Sequence, residues 1–117
     1  MLMDTSRHFI QALERKTALT PLYSKQSLLV EIRGNDEVFW LSISPGGHCI
    51  LTEAPHEKAS LFLSGTSDEQ LEQAIKGEHP LLYMKKKGDL EIKGPFNQQL
   101  TLESLLILSG DQSYLIV

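Results

Sequence analysis

The sequence predicts an α+β fold: a five-stranded, mostly antiparallel sheet with one face covered by about four to five helices. Three observations carry this expectation. Short runs of period-two alternation recur from residue 28 to residue 64. Helical spacing marks the N-terminus and most of the second half. The first three strand runs are joined by connections too short for crossovers, so they form an antiparallel meander. A chain of 117 residues, 41% apolar and 22% charged, supports one core, and the expectation is a single domain over 1–117.

The elements follow in order. Asp4 to Ala18 has helical spacing, with Phe9, Ala12, Leu13 and the stem of Lys16 on one face. Thr5 or Ser6 is expected to cap it, and Thr20-Pro21 to end it. Leu28, Val30 and Ile32 alternate with Leu29, Glu31 and Arg33, and Gly34-Asn35-Asp36 makes a turn. Phe39, Leu41 and Ile43 alternate with Trp40, Ser42 and Ser44, before the turn signal Ser44-Pro45-Gly46-Gly47. His48 to Glu53 is the third strand, stopped by Ala54-Pro55, and Ser60 to Ser64 the fourth, with Leu61 and Leu63 on one face. Apolar and polar faces alternate, so the sheet is covered on one side.

The period then changes. Ser67 and Gln70 form a capping box ahead of a helix that buries Leu71, Ala74 and Ile75, closed by Gly77 and Pro80. Leu81 to Lys87 is a second short helix, ended by Gly88. Asp89 to Lys93 is the fifth strand, with Leu90 and Ile92 inward, and Gly94-Pro95 breaks it. Gln98 to Leu108 is the last helix. Its second half, Leu105-Leu106-Ile107-Leu108, is apolar around the whole circumference, so cover is expected on several sides. Asp111 to Val117 is an apolar tail without a clear period.

Composition excludes several classes. Eleven Lys and Arg against fifteen Asp and Glu give a net charge of −4, which disfavours nucleic acid as a partner. The single cysteine, Cys49, excludes an internal disulfide and a multi-thiolate metal site and fits a reducing compartment. No basic stretch leads into an apolar segment at the N-terminus, so the expected location is cytoplasmic.

Catalytic chemistry finds little footing. His48 and Cys49 are strand neighbours and point to opposite faces, so they cannot pair as base and nucleophile. His48, His56 and His79 lack the spacing of a metal site, and no cofactor or catalytic residue is assigned. An enzyme would need His79 or Tyr83 as its acid–base group. Ser44-Pro45-Gly46-Gly47 precedes a strand and not a helix, so it reads as a hairpin turn and not a phosphate cradle. Glu53 and Glu57 read as solvated loop carboxylates. Lys85-Lys86-Lys87 is the one basic cluster. It serves either as a solvated helix end favourable to the dipole or as a contact for an anionic head group, a phosphate or a membrane surface.

Leucine supplies 20 of the 48 apolar residues and aromatics only 8. Leu71, Ile75, Leu81, Leu82, Met84, Leu100, Leu102, Leu105, Leu106 and Leu108 crowd the second half. Periodicity leaves two outcomes open: a pocket for an apolar ligand, or a core filled by the chain itself.

The stretch Gly77-Glu78-His79-Pro80 followed by Leu82-Tyr83-Met84-Lys85-Lys86-Lys87-Gly88-Asp89-Leu90-Glu91-Ile92-Lys93-Gly94 resembles the signature of the sterol carrier protein type 2 family. Trp40-Leu41-Ser42-Ile43 is similar to that family's second strand, and Ala59 to Ser64 with Ser67-Asp68-Glu69 to its fourth strand and following helix start. The order of elements matches over roughly residues 5 to 110. Pro95 departs from an acidic residue common in the family, and His79 from an Asn or Asp.

The resemblance implies a hydrophobic tunnel between sheet and helices that takes a fatty acid, fatty acyl-CoA, sterol-like or isoprenoid lipid without catalysis. The lining positions it implies are Phe39, Leu41, Ile43, Leu71, Ile75, Leu82, Met84, Phe96, Leu102, Leu105 and Leu106, with Lys85, Lys86 and Lys87 as head-group candidates. The expected partners are a hydrophobic small molecule and, at most transiently, a membrane, with the chain a monomer or weak homodimer. The alternative is an interaction or accessory module with a filled core and no lipid.

Overall fold

The computed structural model describes residues 2–15, 27–44, 48–53 and 58–109. In chain order these form α1 (Leu2–Arg15), β1 (Leu28–Arg33), β2 (Val38–Ser44), β3 (His48–Thr52), β4 (Leu61–Gly65), α2 (Asp68–Ile75), α3 (Leu81–Lys87), β5 (Leu90–Lys93) and α4 (Phe96–Ser109). The turn at 45–47, the stop at 54–57, Lys16 to Pro21 and the apolar tail lie outside the described residues.

The five strands form one sheet in the order β3-β2-β1-β4-β5. β1, β2 and β3 are the expected antiparallel meander. β4 pairs with β1 in parallel, and β5 with β4 antiparallel. The alternation holds along one face: Leu28, Val30 and Ile32, then Phe39, Leu41 and Ile43, then Leu61 and Leu63, then Leu90 and Ile92 are all buried. β1 is the central strand, so its inner residues sit beneath the middle of the helical layer.

The helices cover that face. α1 packs against α2, α4 and β3, α2 against β4, and α3 against β5 and α4. α1 begins earlier than expected. Thr5 and Ser6 do not cap it but lie inside it, buried with Leu2, Phe9 and Leu13 on one stripe. Ser6 Oγ donates to the Leu2 carbonyl at 2.9 Å, so its hydroxyl is satisfied within the helix and is not spent on a free amide.

Ser67 caps α2 from an extended conformation, its Oγ accepting from the Gln70 amide at 3.4 Å. The expected capping box is only half formed. Gln70 Oε1 accepts hydroxyl protons from Ser67 (2.7 Å) and Thr66 (3.3 Å) in place of a backbone N–H. Asp68 Oδ1 accepts from the Asn35 amide at 2.8 Å and ties α2 to the β1–β2 turn.

Gly77 adopts φ +75° where the chain leaves α2, and a Cβ there would collide with the Leu106 carbonyl of α4. α3 ends on Gly88 at φ +86°, with the Asp89 amide donating to the Met84 carbonyl. α4 starts two residues before the expected Gln98, at Phe96, directly after Pro95. Among the described residues its all-round apolar stretch, Leu105 to Leu108, is covered in part, with Ile107 intermediate. Leu102, Leu105 and Leu106 are buried, while Leu100 and Leu108 are each 39% exposed. α4 therefore carries apolar side chains on its outer as well as its inner face.

Candidate functional site: the space between helices and sheet

The strand alternation and the helical stripes bring most of the expected lining residues together. Phe39, Leu41, Ile43, Leu71, Ile75, Met84, Leu102, Leu105 and Leu106 belong to one buried cluster, and Leu82 packs partly against it. Phe96 stands apart, 62% exposed at the start of α4. At the centre of the cluster the described residues leave a void of about 10 Å³ between Ser6, Phe9, Val30, Ile32, Leu41, Leu63, Ile75, Leu102 and Leu106. That is about the room of one water, so hydrocarbon enters there only if helices part from the sheet.

A larger space opens beside it. Between α1 and β3 lies an open groove of about 640 Å³, lined by Met3, Arg7, Ile10, Gln11, Glu14, Cys49, Ile50, Leu51, Thr52 and Glu53. Its floor continues the inner face of the sheet. Leu51 pairs in register with Leu41, and Cys49 with Ile43. Met3, Ile10, Cys49 and Leu51 all pack on the core while remaining only partly buried. β3 is an edge strand, so α1 alone, among the described elements, borders the groove from the helical layer.

The rim is polar and of mixed sign. Arg7 reaches Asp4 Oδ1 at 3.3 Å and the Met3 sulfur at 3.5 Å. Glu14 stands near enough to Cys49 to raise its thiol pKa. Burial is the larger cause, and together the two push the Cys49 thiol up to about 11. Cys49 is therefore a neutral, weakly polar floor residue at neutral pH, with little thiolate character.

Other sequence candidates fall elsewhere. His79 and Tyr83 are both exposed, with ring centroids 6.4 Å apart. Lys85, Lys86 and Lys87 are exposed on α3, where Lys87 meets Asp89 Oδ2 at 3.3 Å and lies 5.2 Å from the Tyr83 ring centroid. Among the described residues no cluster of three His, Cys, Asp or Glu is placed to hold a metal ion. No described helix is long and apolar enough to cross a membrane.

Sequence reasoning missed the groove-lining residues Met3, Ile10, Cys49 and Leu51 and the void-lining Phe9, Val30, Ile32 and Leu63 as site residues. The burial of Phe9, Val30, Ile32 and Leu63 was visible in the alternation and in the stripe of α1, whereas Met3 lay outside the expected helix and Ile10 off its stripe. Their position at one end of the helical layer depends on strand order, which alternation does not encode.

Known proteins share this fold. No protein-family model matches the chain. The SCP2 domain-containing protein YusD of Bacillus subtilis (strain 168) is 29% identical over 92 residues, 79% of each chain. A solved structure of a UbiJ-SCP2 ubiquinone synthesis protein superposes with a TM-score of 0.68 at 16% identity, covering 85% of this chain and 82% of that one. Sterol carrier protein domain 2 of Helicoverpa armigera superposes with a TM-score of 0.63 at 18% identity, covering 89% and 84%. The signature around Leu82 to Gly94, the curated relative and the fold agree: in sequence and in architecture this chain is similar to sterol carrier protein 2 domains.

Proposed function

We propose that this chain is a non-catalytic, cytoplasmic binder and carrier of a hydrophobic ligand: a fatty acid, fatty acyl-CoA, sterol-like or isoprenoid lipid. The observation that carries the reading is the groove between α1 and β3, whose apolar floor extends the buried face of the sheet to solvent. Its volume of about 640 Å³ falls in the range of small-molecule sites. The relatives' names, which speak of sterol carrier proteins and ubiquinone synthesis, point the same way.

Burying a methylene is worth about 0.8 kcal/mol, so the roughly fifteen of a long acyl chain offer about 12 kcal/mol, which leaves about 8 kcal/mol, the micromolar range, after association losses of about 4 kcal/mol. Micromolar affinity then requires no strong polar anchor, and chain selectivity is loose. In this reading the ligand enters over Cys49 and Leu51. It reaches Leu41, Ile43 and the deeper positions on α2 and α4 only as the helices give way.

A second reading is favoured by one observation. The central void of about 10 Å³ fits a module that has filled its core with its own side chains and acts on a protein partner or as a weak homodimer. Titration of the delipidated chain with a fluorescent fatty acid separates the two. The carrier reading expects saturable micromolar uptake that Leu51→Asp weakens at least tenfold with the fold intact. No uptake, together with a stable complex or dimer, supports the module.

A further inference from the structure

We propose that the C-terminal end of α3 docks on an anionic lipid bilayer, with Lys85, Lys86 and Lys87 facing the head groups and Tyr83 entering the interface. This surface is distinct from the groove and does not depend on it. α3 packs on β5 and the groove lies along β3, at opposite edges of a five-stranded sheet. Four strand spacings, about 19 Å, separate them, beyond the reach of a lysine toward a head group held in the groove.

The patch concentrates three consecutive exposed cations in a chain of net charge −4. Among the described residues only Lys87 has an acidic partner, Asp89. The last turn of α3 is already closed by the Gly88 and Asp89 amides, so the helix end does not require all three lysines. Tyr83, 52% exposed, presents an apolar ring with a polar tip beside them, the chemistry suited to a membrane–water interface. Phe96, three residues past the end of this edge strand, is a second exposed aromatic. Positive charge beside exposed aromatic rings matches an anionic bilayer, whose interface takes up both the cations and the amphipathic rings.

The test is co-sedimentation of the full chain with vesicles of phosphatidylcholine alone and of phosphatidylcholine with phosphatidylserine. Binding is expected only with the anionic vesicles and is lost at high salt. Each lysine near such a surface is worth about fivefold. Replacing all three (Lys85→Ser, Lys86→Ser, Lys87→Ser) is expected to weaken binding on the order of 100-fold, and Tyr83→Ser several-fold. Circular dichroism and fatty-acid uptake of the triple variant should match the parent, which keeps this result separate from that of the groove. Equal sedimentation with neutral vesicles, a triple variant that binds like the parent, or no sedimentation at all overturns the proposal, and the last outcome leaves the lysines to an acidic protein.

Discussion

Leu41 and Leu51 face each other across the β2–β3 ladder, yet Leu41 is buried to 2% exposure and Leu51 is only partly covered. The cover above the sheet thins between them. Leu41 meets Ile75, Leu102 and Leu106 around the central void, whereas Leu51 lines the open groove. One strand spacing thus separates a residue that holds the fold together from one available to a ligand.

The pair predicts opposite consequences of truncation. Leu41→Ala opens a cavity in a packed core and is expected to cost about 2 to 5 kcal/mol. Leu51→Ala removes contacts from a half-open site and should cost about 1 kcal/mol while weakening ligand uptake. Urea denaturation alongside fluorescent fatty-acid titration reads both. Equal destabilisation by the two variants would mean that Leu51 belongs to the core.

Two glycines with positive φ separate strain from collision. At Gly88 a Cβ meets nothing within 4 Å, so Gly88→Ala should cost only the left-handed conformation, about 1 kcal/mol. At Gly77 the same conformation is combined with a clash against the Leu106 carbonyl, and Gly77→Ala should cost about 3 kcal/mol as α2 is forced away from α4. Thermal or urea unfolding of both variants checks the order, and a larger cost at Gly88 contradicts it.

Ser67 is the one capping side chain of α2, and its hydroxyl also engages Gln70. Ser67→Ala should lower stability by about 1 kcal/mol, and Ser67→Asp should recover most of it, since Asp accepts from the same amide and suits the helix dipole. Chemical denaturation of the two variants measures this directly.

Cys49 gives the fold an alkaline dependence with a defined sign. Its folded pKa is raised from 9.0 to about 11, first by burial and then by Glu14. Between these values the unfolded thiol ionises while the folded one stays protonated, so the unfolded state binds fewer protons and stability falls as pH rises. The contribution is complete below pH 9.0 and lost by about pH 11. Partial exposure limits it to about 1 to 2 kcal/mol. Denaturation midpoints across that window should fall less steeply in Cys49→Ala than in the parent.

Much of the fold was legible because its signals are local. Phe39, Leu41 and Ile43 and the strand before them announce a buried face by alternation alone, and Gly77, Pro80 and Gly88 mark helix ends through backbone geometry. The parallel pairing of β4 with β1 was not legible, because alternation fixes which face is buried and says nothing of the neighbour. The reach of α4 was overread for the same reason. Four apolar residues in succession from Leu105 imply cover, but Leu108 turns outward. The site was legible only in part. Most of the residues implied by the family resemblance fall in the core, but Leu82 lies at its margin and Phe96 outside it. The groove arises from where α1 crosses an edge strand, a relation between segments far apart in the chain.

The claim that the groove between α1 and β3 receives hydrocarbon is tested most directly by an NMR titration of the delipidated, isotope-labelled chain with a fatty acid. The account predicts saturable shifts that begin at Met3, Ile10, Cys49 and Leu51, accompanied by slower alkylation of Cys49. An unperturbed spectrum, or shifts confined to the outer face of the sheet around Glu31, Arg33 and Phe62, would contradict it.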